Sequence, residues 1–231
     1  MSNLGNSLVL RKTVDPVVCK DLDAGGMLPH QAAYCPCFTP GTLVKTDYGE
    51  CAVEDITVGM RVLTRDNGYQ PVVWTGQRSL TKETLAQFSD LHPVQIAQGA
   101  LGNNLPERDM KVSPQHRMLL NNAQIRQWFE ADEVLIAAHL LTCFEGVERE
   151  TVEDVTYIHF MCAQHEIVLA DGAWTESYQP SDMRLGAIDE RHRTELLSIF
   201  PELAEGAKSV FPAARATISQ STFVETVFPS E

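Results

Sequence analysis

Residues 37–42 read Cys37-Phe-Thr-Pro-Gly-Thr42, and at this stretch the character of the chain changes. Downstream of it, short β-favouring runs alternate with turn signals: 43–46, a turn at Asp47-Tyr48-Gly49, 51–53, then 62–64, Asp66-Asn67-Gly68 and 72–75. Runs of this length bounded by Gly, Asn and Asp predict two hairpins in series. Asn67-Gly68 is a strong local turn signal, because both residues tolerate the positive φ of a tight hairpin. Strand character returns at Lys111 and Val112, at 116–120, 155–161 and 165–169, and the turn Asp171-Gly172 leads to a last short strand near Trp174. An all-β body follows. Residues 82–110 are less regular, with an exposed loop expected over 99–106, and a helix is expected over 127–141.

Upstream, the first 36 residues carry Pro16, Gly25-Gly26 and Pro36 without sustained periodicity, and they read as a flexible leader. At the other end, residues 188–200 are good helix formers, with Asp189 and Glu190 near the start and Pro201 just past the end. That pattern predicts an amphipathic helix. The expected organisation is a leader over 1–36, a β domain over 37–180 and a short helical extension over 181–231.

Composition narrows the function classes. Of 231 residues, 18 are Lys or Arg against 31 Asp or Glu, and the net charge of −13 repels phosphate backbones, so no nucleic-acid partner is expected. No apolar run reaches the ~18 residues of a helical membrane span, and none is expected. The first 16 residues place their basic pair after a very short apolar stretch and do not read as a secretory signal. A cytoplasmic location, or export without a signal peptide, is the expectation. Six cysteines in 231 residues are too dilute for a disulfide scaffold and read as individual thiols. Cys35-Pro-Cys37 has the look of half a zinc site or a redox pair, but no second Cys pair supplies the other ligands. No metal and no cofactor are expected.

Three further blocks follow Cys37 in order. Ser113-Pro-Gln-His-Arg117 begins 76 residues later, His159 and His165 lie in the last strands, and Ala170-Asp-Gly-Ala-Trp-Thr-Glu-Ser177 closes the series. The set resembles the Hint (hedgehog/intein) family, and within it a bacterial group with Cys-Phe-x-Pro-Gly-Thr, Ser-Pro-Gln-His-Arg and a final Ala-x-Gly-x-x-x-Glu-Ser. The resemblance covers residues 37–180 and implies an all-β, horseshoe-like fold that processes its own chain.

In such a reading Cys37 attacks the carbonyl of Pro36 in an N–S acyl shift, with the leader as substrate. His116 gives a proton to the departing nitrogen. Ser113, where the family more often has threonine, offers its hydroxyl to the strained peptide or the developing oxyanion. His165 matches the closing-strand histidine of the family, and His159 falls where many relatives have an aspartate that deprotonates the cysteine. Inteins end in His-Asn, whereas this chain continues Ala173-Trp-Thr-Glu-Ser177, so cleavage without full splicing is expected. Water, a thiol or an amine would receive the leader. Pro36, whose ring crowds the carbonyl, leaves open a second function: a Hint-like binding or structural module that has lost cleavage. His92, His139 and His192 fit no motif. Cys51, Cys143 and Cys162 read as small hydrophobes, and Trp74 and Trp128 as core aromatics.

Overall fold

The computed structural model describes residues 7–11, 36–179 and 212–229. Twelve strands carry the body: β1 (Leu43–Thr46), β2 (Gly49–Ala52), β3 (Arg61–Thr64), β4 (Gly68–Leu80), β5 (Val94–Ile96), β6 (Met110–Val112), β7 (Arg117–Leu120), β8 (Val134–Ala137), β9 (Val147–Arg149), β10 (Val155–Cys162), β11 (Ile167–Ala170) and β12 (Ala173–Glu176). Three α-helices accompany them: α1 (Lys82–Gln87), α2 (Ala123–Phe129) and α3 (Gln220–Val227). The strands form a nine-stranded sheet in the order β10-β4-β3-β1-β11-β12-β7-β8, with β2 paired to β1, and a three-stranded sheet β6-β5-β9. The all-β expectation holds.

Both expected hairpins form, β1 with β2 and β3 with β4. At the second turn only Gly68 takes positive φ, +64°, while Thr64 Oγ1 accepts the Asn67 N–H and donates to the Gly68 carbonyl. Both central residues do take positive φ at Asp171-Gly172, +48° and +76°, which joins β11 to β12. Asp171 accepts that strain because its carboxylate takes the Leu43 N–H at 3.1 Å while its own N–H donates to the Leu43 carbonyl at 2.8 Å. Burial pushes its carboxyl up to about 6.

β4 is the long element: 13 residues that pair with β3 at one end and with β10 along the rest, from Leu80 opposite Val155 to Val72 opposite Cys162, with a register shift at Met161/Cys162. The core runs beneath this ribbon through Phe38, Val62, Val94, Val112, Ile136, Phe144 and Phe160.

Two local expectations are corrected. The helix foreseen over 127–141 is instead α2, which starts earlier on an Asn122 cap and stops at Glu130 in the left-handed region, followed by β8 and a 3-10 turn over Ala138–Cys143. The run Val134–Ala137 is wholly buried and pairs with β7; a short apolar run carries no period that separates strand from helix. The loop over 99–106 is partly interior, with Leu101 and Pro106 buried. The helix expected over 188–200 lies outside the described residues, and α3 falls in a stretch the sequence left unassigned. Most of the leader lies outside them as well, but Ser7–Arg11 is held against the body: Leu8 is buried and Leu10 bridges Phe144.

Candidate functional site

Phe38 decides where Cys37 goes. Its backbone is locked to Ile158 of β10 by reciprocal hydrogen bonds of 2.7 and 2.9 Å, and it also bridges Val112 at the end of β6. With Phe38 opposite Ile158, the next pair along the two strands is Cys37 and His159, side by side on one face. Cys37 Sγ lies 3.2 Å from His159 Nδ1. From the β6 side, Ser113 grips Cys37 twice: its hydroxyl accepts the Cys37 N–H at 2.9 Å, and its own N–H donates to the Cys37 carbonyl at 2.9 Å. The Cys37 nitrogen is the amide nitrogen of the Pro36–Cys37 peptide. All four groups are buried, and Cys37 itself packs into a small apolar cluster of Leu80, Leu85, Phe88, Leu91, Val155 and Tyr157.

His116 enters through the turn Ser113-Pro-Gln-His116, closed by its N–H on the Ser113 carbonyl at 3.0 Å. Its ring lies 4.4 Å from the Phe38 ring, and Nε2 is hydrogen-bonded to Thr175 Oγ1 of β12. Thr175 gives its own proton to the Arg117 carbonyl, so its oxygen accepts from His116 and the imidazole proton sits on Nε2. Nδ1 is then a bare acceptor, buried and without a partner among the described residues. Burial, with the Arg117 charge second, pushes this imidazole down to about 3. The role expected for it, donor of a proton by virtue of an ordinary histidine titration, does not fit that state: at neutral pH the ring is uncharged and its Nδ1 holds no proton to give.

His159 is gripped face to face. Trp74 stacks against it with ring centroids 4.9 Å apart and Tyr178 at 5.0 Å, and the Trp74 and Tyr178 rings also meet each other at 5.7 Å. The space comes from Gly76, directly opposite His159 on β4: a Cβ there would stand 2.5 Å from His159 Nε2 and 2.5 Å from the Trp74 ring. Sequence reasoning missed Gly76, Tyr178 and Thr175 as parts of this site and read Trp74 as core. The one available signal was Trp74 and Gly76 spaced two apart in a strand, which puts them on one face.

His165 lies elsewhere. Its Nε2 is 3.2 Å from Glu176 Oε2, and its Nδ1 accepts the Ala214 N–H at 3.0 Å. Glu176 also takes the Arg117 N–H at 2.8 Å and the Arg117 guanidinium at 3.2 Å. Thr175 and Glu176 are consecutive on β12, so they project to opposite faces of the sheet. The structure thus brings Cys37, Ser113 and His159 together, sets His116 against Phe38 beside them, and places His165 on the other face with the carboxy-terminal segment.

This buried cysteine at the start of a β domain, with the motif serine on its amide, accompanies a match of residues 36–182 to the family model described as Hint domain. The chain belongs to the Hint family. No curated protein matches. Solved structures similar to this Hint chain include the gp41-1 intein, 13% identical with a TM-score of 0.37, covering 61% of this chain and 97% of that one. A bacterial intein-like domain from Clostridium thermocellum is 15% identical with a TM-score of 0.39, covering 62% and 97%. The Hint fold supports self-processing in general. Among the described residues no group of three or more His, Cys, Asp or Glu is placed to hold a metal ion, and no helix is long and apolar enough to cross a membrane.

Proposed function

We propose that this Hint domain cleaves its own chain between Pro36 and Cys37 by an N–S acyl shift, without splicing. Cys37 Sγ gives its proton to His159 Nδ1 and attacks the Pro36 carbonyl carbon, forming the C–S bond. The C–N bond then breaks, the electron pair goes to the Cys37 nitrogen, and that nitrogen takes up one proton to become the free α-amine. Ser113 Oγ, 2.9 Å from the nitrogen, is the hydroxyl in place to pass that proton. In net terms one proton moves from sulfur to nitrogen, and the 36-residue leader is left as a thioester. Water, a thiol or an amine attacks the thioester carbon and frees the Cys37 thiol, leaving 195 of the 231 residues on the product that begins at Cys37.

The observation that carries the reading is the Cys37–His159 contact at 3.2 Å, which sets an acceptor for the thiol proton beside the nucleophile in a buried site. Burial strengthens each polar contact there, because little water competes for the donors and acceptors. The test is the mass of the denatured chain after incubation with dithiothreitol, beside Cys37→Ala. Loss of the first 36 residues from the parent and not from the variant supports the reading. A parent that stays at full length in every thiol condition overturns it and favours the binding or structural module.

A further inference from the structure

We infer that the ledge formed by Gln124 and residues 143–147 is a peptide-binding site, occupied in the uncut chain by the leader's own Ser7–Arg11, and that it keeps hold of the leader non-covalently once the backbone is broken. The retention of a cleavage product rests on the reading above; the ledge and its occupant do not.

Five residues of the leader lie along the body, and three of their backbone groups are hydrogen-bonded to it. The Leu8 N–H donates to Gln124 Oε1 at 3.0 Å. The Val9 carbonyl accepts the Glu145 N–H at 2.7 Å, and the Arg11 N–H donates to the Cys143 carbonyl at 3.0 Å. Leu10 and Phe144 form an antiparallel bridge. Backbone pairing of this kind gives an added strand its affinity, and side-chain pockets give it selectivity. Here the selective positions are Leu8, buried into the main core cluster, and Arg11 three residues on. The Arg11 guanidinium donates to the Phe144 carbonyl at 3.1 Å and the Val147 carbonyl at 2.6 Å, and stands 3.8 Å from Glu148. Val9 and Leu10 face outward and are exposed.

Ser7–Arg11 ends 25 residues ahead of the Pro36–Cys37 bond, and the hydrogen bonds and ion pair described above run to Gln124 and residues 143–148, not to Cys37, Ser113 or His159. Breaking that bond therefore removes none of them. What cleavage does remove is the tether, which in the uncut chain holds a short strand near the ledge at an effective concentration on the order of millimolar. The cut form is a complex whose occupancy depends on concentration, and the class of segment the ledge accepts is an extended peptide with leucine and arginine three positions apart.

The experiment uses the full chain with Cys37→Ala, so that no self-cleavage enters, and a specific protease site inserted within residues 12–35. After cutting, hydrogen exchange of the Glu145 amide is followed at 10 μM and at 1 mM protein, with and without Arg11→Ala. Protection at 1 mM that approaches the uncut chain, with Arg11→Ala raising the concentration needed at least tenfold, is the expected result. Protection at both concentrations, sensitive to Arg11→Ala at the lower one, supports a tighter complex of the same kind. Fast exchange at both concentrations, or indifference to Arg11→Ala, overturns the inference. Self-cleavage is read separately as a covalent break in the denatured parent, so either proposal can fail alone.

Discussion

The His116 ring is 1% exposed, shares its Nε2 proton with Thr175 and is held neutral to about pH 3 by burial. Its titration lies below that of an unfolded histidine near 6.5, so the unfolded chain binds more protons across that window and stability rises with pH through it. The contribution is complete above about pH 6.5 and is lost as the pH falls towards 3. Against His116→Gln, the stability advantage of the parent in urea should shrink by about 3 kcal/mol between pH 7 and pH 4.5. An unchanged difference would mean that the ring titrates in the fold as it does in the unfolded chain. Ser113 makes a different residue-scale prediction: Ser113→Ala loses the hydroxyl on the Cys37 nitrogen and should slow thiol-induced cleavage roughly 10- to 100-fold, with Ser113→Thr close to the parent. Motif order singled out Cys37 and Ser113 in the sequence, and His159 was singled out only by its place in the closing strands; the structure brings the three side chains together. The state of His116 was not legible, since the proton's position depends on Thr175, 59 residues away, and on burial that no local pattern encodes.

Two strands set the geometry of the site, and one residue on each matters most. His159 on β10 can pack against the Trp74 and Tyr178 rings only because its partner on β4 is Gly76. Gly76→Ala puts a methyl group into the ring stack; the Trp74 ring is 1% exposed and has nowhere to retreat. Overpacking of that kind should cost about 1–3 kcal/mol in urea denaturation and, by displacing His159 from Cys37, reduce cleavage in the population that stays folded. Parent-like stability and cleavage in Gly76→Ala would remove the stack from the account. Hairpins were readable at this scale because glycine and aspartate mark them, Asp171-Gly172 above all. The segment after α2 was not: Val134–Ala137 is apolar at every position, and only its pairing with β7 makes it a strand.

At the scale of the molecule, both ends of the described chain close over the β body. From the carboxy-terminal side, Thr217 pairs in parallel with Leu135, covering the edge strand β8, and Arg215 joins Glu133 at 2.7 Å to Asp66 at 2.7 Å. α3 then sets Phe223, fully buried, against Phe129 and Phe144. Phe223→Ala should cost about 3–5 kcal/mol of stability in urea and leave cleavage by the folded protein as it was, because its ring partners are Phe129 and Phe144 rather than the groups hydrogen-bonded to Cys37. The sequence carried little of this, since a short helix and a single bridging residue get their stability from the surfaces they meet. The central claim concerns the Pro36–Cys37 bond, and hydroxylamine tests it most directly because it captures a thioester as a hydroxamate. The expected product is a leader of 36 residues whose Pro36 carboxyl is a hydroxamate, absent from Cys37→Ala. A parent that remains at 231 residues in hydroxylamine contradicts it.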